Sequence, residues 1–409
     1  MQRSTASRMR RLGSALVAMA AAVSFSLPAA ADAGFQRWIQ EFEGVAAQSG
    51  VSRNVYRAAF AGITTPDPEV LQKAAYQPEF RAKVWDYVDN RVNDEAIAEG
   101  RAMAVKYASW LDRIEKRFGV DRHILLAIWS VETNYGAALT REGVMKSLPR
   151  SLATLAYKDT RRAKFARQQL IAALQIAQAG HVAPKDLTSS WAGAMGHTQF
   201  IPTSYQAFAA DMTGDGRADI WNSVPDALAT AANLLRKNGW QSGKTWGYEV
   251  NVPSQHRGKF ERDNRTLAQW QGLGFQRPSG AGFAHPSDRG NLVRLAGDDG
   301  PAFLMTKNFF VLKNYNNADT YALAVGLLAD RIAGYGGPQR DWPRGYTPLS
   351  SQERYELQKH LASRGLYDGK IEGKIGDGSR GAIMALQSSA GMAQDGNASK
   401  ALLDFLRRN

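Results

Sequence analysis

Ala127-Ile-Trp-Ser-Val-Glu-Thr-Asn-Tyr-Gly136 places one carboxylic acid, Glu132, near the end of an otherwise apolar run. Asp121 is a suitable N-cap and Gly136 a suitable stop, so the segment between them reads as a helix. Leu125, Ile128, Trp129 and Glu132 recur at three- and four-residue spacing and share one helical face. Glu132 therefore points where the apolar residues point, toward the interior or the wall of a cleft. Removing a carboxylate from water disfavours its charged form and raises its pKa. A glutamate that keeps its proton near neutrality is equipped to act as a general acid.

Outward from this helix, residues 35 to about 240 carry mostly helical periodicity, with Met103, Val105, Trp110, Leu111 and Ile114 on overlapping rows. Between about 240 and 312 the pattern changes. Trp246–Val252, Leu292–Leu295 and Phe309–Leu312 are short strand-like runs between turns rich in Gly, Pro and Asp. Helical spacing returns over Asp319–Ile332. The expected architecture is α+β and mainly α, a helical body with a small inserted β subdomain. Gly- and Pro-rich residues 337–348 read as a linker. Beyond it, residues 349–409 read as a separate three-helix module, opened by the capping box Ser350-Ser-Gln-Glu353. Its further helices are expected at about Ser379–Ser389 and Ser399–Arg408.

Residues 1–31 have the form of an export signal: Arg3, Arg8, Arg10 and Arg11, an apolar stretch from Leu12 to Leu27, and the small residues Ala29-Ala30-Ala31. Cleavage is expected near Ala31 or Ala33, leaving a soluble exported protein without a membrane span, whose main body is residues 34–336. Four arginines and no acids leave with the signal, which lowers the formal charge from +13 to +9. In an exported protein a basic balance favours an anionic wall polymer or membrane surface. No basic cluster interleaved with aromatics marks a nucleic-acid partner. The chain has no cysteine, which excludes thiol nucleophiles and disulfides. Its six histidines are scattered without HExxH spacing, which argues against a catalytic zinc centre.

Two loops carry further polar chemistry. In Ser189-Ser-Trp-Ala-Gly-Ala-Met-Gly-His-Thr-Gln-Phe-Ile-Pro-Thr-Ser-Tyr205 small residues permit close approach, and Ser190 and Gln199 supply hydrogen-bonding groups. Taken alone, the segment reads equally as a tightly packed turn. In Asp211-Met-Thr-Gly-Asp-Gly-Arg-Ala-Asp-Ile-Trp-Asn-Ser-Val-Pro-Asp226, Asp211, Thr213, Asp215 and the Arg217 carbonyl follow the calcium-loop order around Gly216, with Asp226 as the closing acid. A structural calcium ion is the expectation there. A loop held by its own side-chain hydrogen bonds is the alternative.

Taken together, Val131-Glu-Thr-Asn-Tyr-Gly136, Ala192-Gly-Ala-Met-Gly-x-x-Gln-Phe200, Asn314-Tyr-Asn316, Pro78-Glu-Phe80 and Thr160-Arg-Arg162 resemble the motif set of the lytic murein transglycosylases of the B type. The run from Leu366 to Ile383 with Leu386-Gln387 resembles a peptidoglycan-binding domain. The resemblance implies a periplasmic enzyme with a lysozyme-like core and no organic cofactor. Its substrate is the peptidoglycan glycan strand, and its candidate partners are proteins of wall synthesis or remodelling. It implies that Glu132 acts first as acid and then as base in a cleavage that uses no water and leaves a 1,6-anhydromuramoyl end. It implies that Tyr87, Ser190, Gln199, Tyr315 and Asn316 line the glycan cleft, and that Arg161 and Arg162 meet substrate carboxylates. Leu234 lies where some members carry a sugar-stacking aromatic residue. A hydrolytic muramidase and a non-catalytic wall-binding scaffold are the alternatives, and the lone carboxylate within an intact motif disfavours both.

Overall fold

The structure, a computed structural model, describes residues 32–75 and 83–409. The expected export signal (residues 1–31) and Pro78-Glu-Phe80 lie outside the described residues. As expected, the chain is mainly helical with small antiparallel sheets. No helix among the described residues is long and apolar enough to cross a membrane.

The Glu132 helix, Arg122–Thr133, runs through the middle of the body. The Asp121 carboxylate caps it by accepting from the His123 N–H at 2.8 Å. Leu125, Leu126, Ala127 and Ile128 are fully buried and Trp129 almost so. Each large apolar side chain removed from water in this way contributes about 1.5–3 kcal/mol. The helix packs against Asp319–Ile332, Asp94–Lys106, Val224–Lys237 and Ala108–Phe118. Asp319–Ile332 is buried nearly all round and also supports the short helix Val84–Arg91. Residues 101–118, whose apolar residues fall on overlapping helical rows, belong to two helices, Asp94–Lys106 and Ala108–Phe118, divided at Tyr107.

The inserted sheet has the spatial order Gly247–Val250, Ala302–Met305, Arg289–Val293, Asn264–Thr266, all antiparallel. Its second strand is buried on both faces. Ala302 and Leu304 join a local core with Trp270 and Phe275, while Phe303 and Met305 join the helical body. The side-chain alternation of a strand thus stitches the insertion to the body. Phe309–Leu312, expected as a strand, belongs instead to the helix Lys307–Leu312. A short apolar run is ambiguous in period, and packing of Phe309, Val311 and Leu312 into the main core decides it.

Leu349 to Leu406 form a separate core around the helices Ser351–Ser363, Asp377–Ser389 and Lys400–Arg408. The Ser350/Glu353 capping box is present in full.

Candidate active site

The Glu132 helix ends abruptly. Asn134, Tyr135 and Gly136 all have positive φ (51°, 55° and 90°). Non-glycine residues in this region cost of order 1–3 kcal/mol each and persist only where the surroundings over-determine them. Here the surroundings do. The Asn134 N–H donates to the Ser130 carbonyl at 2.8 Å, the Tyr135 hydroxyl to the Ala96 carbonyl at 2.8 Å, and the Gly136 N–H to the Thr133 hydroxyl at 3.1 Å. A Cβ on Gly136 would stand 2.6 Å from the His197 ring, so only glycine fits. The helix stops at Thr133, three residues before the expected glycine.

The second loop closes on this terminus. Thr133 donates its hydroxyl hydrogen to the His197 carbonyl at 2.7 Å, and the Trp129 indole N–H donates to His197 Nδ1 at 3.1 Å. Burial pushes the His197 pKa down to about 4, so the imidazole is neutral and accepts the indole hydrogen through Nδ1. Gly196 lies against the Ile220 backbone, where a Cβ would meet the Ile220 carbonyl oxygen. Ser190 accepts from the Ala194 N–H at 3.2 Å, and Gln199, itself at φ 51°, donates its amide to the Gly196 carbonyl at 2.9 Å. Both expected cleft residues thus brace the loop that carries them.

Glu132 is half-buried. Desolvation pushes its carboxyl up to about 7, against the opposing pull of the Tyr321 hydrogen bond and the Arg91 charge. The Tyr321 hydroxyl donates to Glu132 Oε1 at 2.7 Å. Tyr315 stacks on Tyr321, with ring centroids 6.3 Å apart and planes 9° apart. Its hydroxyl donates to the Thr198 carbonyl at 2.5 Å, which ties the second loop to the acid. Burial raises the Tyr87, Tyr315 and Tyr321 phenols, and each is close enough for a Glu132 charge to raise it further. All three are therefore neutral hydroxyls at working pH. Arg91 lies over the Tyr87 ring, 4.7 Å from its centroid.

Of the expected residues, Tyr87 and Tyr315 are thus brought to Glu132. Asn316 is exposed beside Tyr315, and its side-chain oxygen accepts from the Ala318 N–H at 3.2 Å, at the entry to the Tyr321 helix. Arg162 is engaged elsewhere, paired with Asp159 at 2.6 Å and donating to the Ala74 carbonyl. Arg161 is largely exposed. Leu234 is buried in the main core, on the helix Val224–Lys237.

Sequence reasoning missed Tyr321 and Arg91. Tyr321 had a usable signal, a phenol in the first turn of a helix whose next eight residues, 322–329, are all Ala, Leu, Val or Gly. A buried tyrosine hydroxyl requires a partner. Arg91 had none, because its position depends on how Val84–Arg91 packs.

Among the described residues no acid contributes to the Glu132 shift. A second carboxyl is also raised to about 7 by burial, that of Asp330. It accepts from the Trp246 indole at 3.2 Å and borders two cavities of about 460 and 480 Å³ whose linings exclude Glu132. It lies nine residues beyond Tyr321, about 13 Å along the helix axis. Paired-carboxylate glycosidases hold the two groups about 5–9.5 Å apart.

In the Asp211–Asp226 loop, where a calcium ion is the expectation, the acidic side chains are engaged with backbone amides. Among the described residues no three acidic or histidine side chains gather as a metal-binding group. Asp226 accepts from the Met212, Thr213 and Asp219 N–H groups. Asp211 accepts from the Thr213 hydroxyl and from the Gly214 and Gly216 N–H groups. Asp215 accepts from the Arg217 N–H. Thr213, Asp215 and Arg217 are exposed at the loop tip. The carboxylates are turned toward backbone amides, and the loop is closed by its own hydrogen bonds.

Residues 34–330 match the family described as the transglycosylase SLT domain, and residues 350–406 match a putative peptidoglycan binding domain. The chain is similar to SltB3 from Pseudomonas aeruginosa, at 41% identity and a TM-score of 0.72, over 91% of this chain and 99% of that one. SltB3 has been solved with NAG-NAM-pentapeptide and with NAG-anhNAM-pentapeptide. Membrane-bound lytic murein transglycosylase B of Escherichia coli (strain K12) is 29% identical over 248 residues, 59% of this chain and 65% of that relative's length. The Escherichia coli lytic transglycosylase Slt35, solved in complex with calcium, is 25% identical with a TM-score of 0.59, over 74% of this chain and 93% of that one.

Proposed function

The chain belongs to the transglycosylase SLT family, and from that premise we propose that it is a peptidoglycan lytic transglycosylase of the periplasm. It cleaves the β-1,4 bond between N-acetylmuramic acid and N-acetylglucosamine. The observation that carries this reading is an acid, raised to about 7, with a tyrosine hydroxyl on one carboxyl oxygen and, among the described residues, no second carboxylate acting on it.

Protonated Glu132 gives its hydrogen to the glycosidic oxygen, and the C1–O bond breaks. The N-acetyl oxygen of the same muramic residue stabilises the cationic C1. Glu132, now ionised and held by Tyr321, takes the hydrogen of the 6-hydroxyl as that oxygen closes on C1. The proton count balances, the acid is regenerated and a 1,6-anhydro end results. An intramolecular nucleophile needs only a held sugar conformation, which supplies much of the rate. Burial suits both steps, because a pKa near the working pH lets one group donate and then accept. The complex of the 41%-identical SltB3 with an anhydro-muramic peptide supports this product.

Tyr87, Ser190, Gln199, Tyr315 and Asn316 border the glycan on either side of Glu132, and the exposed Arg161 reaches toward peptide carboxylates. Residues 34–336 form the catalytic body, 337–348 the linker and 349–409 the wall-binding module. The first 31 residues direct export. Calcium has been captured with the Slt35 relative. In this chain the Asp211–Asp226 loop closes on its own amides, and we assign it no part in the chemistry. Mass spectrometry of products from purified sacculi tests the reading. The wild type should release anhydro-muropeptides and Glu132→Gln none, whereas reducing muramic acid ends would identify a hydrolase.

A further inference from the structure

The helix Val84–Arg91 has two working faces. At 100° per residue, Tyr87 and Arg91 share one side, while Asp86, Asp89 and Asn90 share another roughly 120° away. The first side belongs to the site: the helix packs on Asp319–Ile332, whose Tyr321 holds Glu132, and Arg91 lies over Tyr87.

The second side is gripped by the C-terminal module and its linker. Arg380 pairs with Asp86 at 2.7 Å. The Asn90 amide exchanges two hydrogen bonds of 3.1 Å with the backbone of Ile375. One guanidinium nitrogen of Arg344 donates to both Asp89 carboxylate oxygens, at 2.6 and 2.7 Å, and Arg354 donates to the Asp89 carbonyl at 3.2 Å. These are not loose surface pairs. The Arg344 and Asp86 side chains are only 11% and 13% exposed, and the space left among these residues is about 20 Å³. Isolated exposed ion pairs contribute little, but a network of part-buried charged hydrogen bonds fixes a geometry. Every one of these contacts falls on a single two-turn helix.

We propose that the C-terminal module is a positioning element of the active site: its grip on Asp86, Asp89 and Asn90 sets the helix that presents Tyr87 and Arg91 to the Glu132 cleft. The inference rests on the catalytic reading above and gives the module a second task beside wall binding. A tether raises the local concentration of wall, whereas a positioning element changes turnover on any substrate. Arg344 and Arg380 are thus positioning residues that never touch glycan.

The test uses the full chain and a soluble two-repeat glycan fragment, which removes tethering to an insoluble wall from the measurement. In Arg344→Ala/Arg380→Ala, proteolytic cleavage within residues 337–348 should accelerate. The kcat should fall about tenfold or more, because small misplacements of positioned groups cost up to about 10²-fold, while KM changes less. Restoring the pair in reversed sense, Asp86→Arg with Arg380→Asp, should recover turnover lost in Asp86→Arg alone; this comparison decides the matter if the double-alanine variant does not fold. Unchanged kcat with an opened linker would overturn the proposal. So would a linker as resistant as wild type with both arginines gone, since the named contacts would then not be the grip. Failure of the wild type to form anhydro products would overturn the catalytic reading instead, and linker proteolysis would still report docking.

Discussion

Removing the hydroxyl of Tyr321 takes away the side-chain hydrogen bond that the described residues give to Glu132, the acid of the proposed reaction. Tyr321 donates to Glu132 Oε1 at 2.7 Å, and this bond favours the ionised carboxylate. A hydrogen bond to a charged acceptor is worth about 1.5–3 kcal/mol and one to a neutral acceptor about 1 kcal/mol. The difference of roughly 1.4 kcal/mol corresponds to about one pKa unit. In Tyr321→Phe the carboxyl should therefore rise by about one unit above its present value near 7. The first step needs the protonated acid, so kcat/KM in the wild type should fall as pH rises through about 7. In the variant the same limb should move about one unit higher. The second step needs the carboxylate that Tyr321 stabilises, so kcat should drop even where the acid is fully protonated. Initial rates on a soluble muropeptide between pH 5 and 9, with a ¹³C NMR titration of the Glu132 carboxyl, measure both effects. A limb that stays in place or moves to lower pH would refute the reasoning.

Glu132→Gln should abolish anhydro product and yet stabilise the fold at alkaline pH. The folded pKa lies above the unfolded one, so ionisation costs stability as pH rises from about 4.5 through about 7. The variant should gain about 1–3 kcal/mol over wild type at pH 8 and little at pH 4, as read by denaturant melts; an equal difference at both pH values would contradict the raised pKa. Gly196→Ala should cost about 2 kcal/mol or more, because φ is 64° and the new methyl would collide with the Ile220 carbonyl; a melting temperature unchanged by the substitution would show that the loop can shift. Millimolar calcium or a chelator should move the melting temperature by less than about 1 °C, since the stabilisation by a ligand vanishes where its Kd far exceeds its concentration. A rise of several degrees with calcium would show Asp211 and Asp226 leaving their amides for the ion.

Local pattern was sufficient for much of this molecule. The Glu132 helix is legible because its three- and four-residue apolar spacing and its Asp121 cap agree, and the three-helix module because a capping box and regular spacing agree. Phe309–Leu312 was not, since four apolar residues fit either period until a core receives them. The calcium pattern in Asp211–Asp226 is a pattern of residue types alone. Whether those oxygens face an ion or an amide depends on backbone torsions that spacing does not encode.

The amino-acid sequence by itself determined that an acid would stand on an apolar helical face, because helical periodicity is a property of neighbours three and four residues apart. It also determined the order of the motifs and the basic, cysteine-free character of the chain. Only the tertiary structure decided that Tyr321, 189 positions away, would hold that acid, that Asp330 would not join it, and that residues 344–380 would grip the helix bearing Tyr87. Those relations come from the packing of helices distant in sequence, and desolvation, which sets the acid's proton affinity, exists only once they have closed around it.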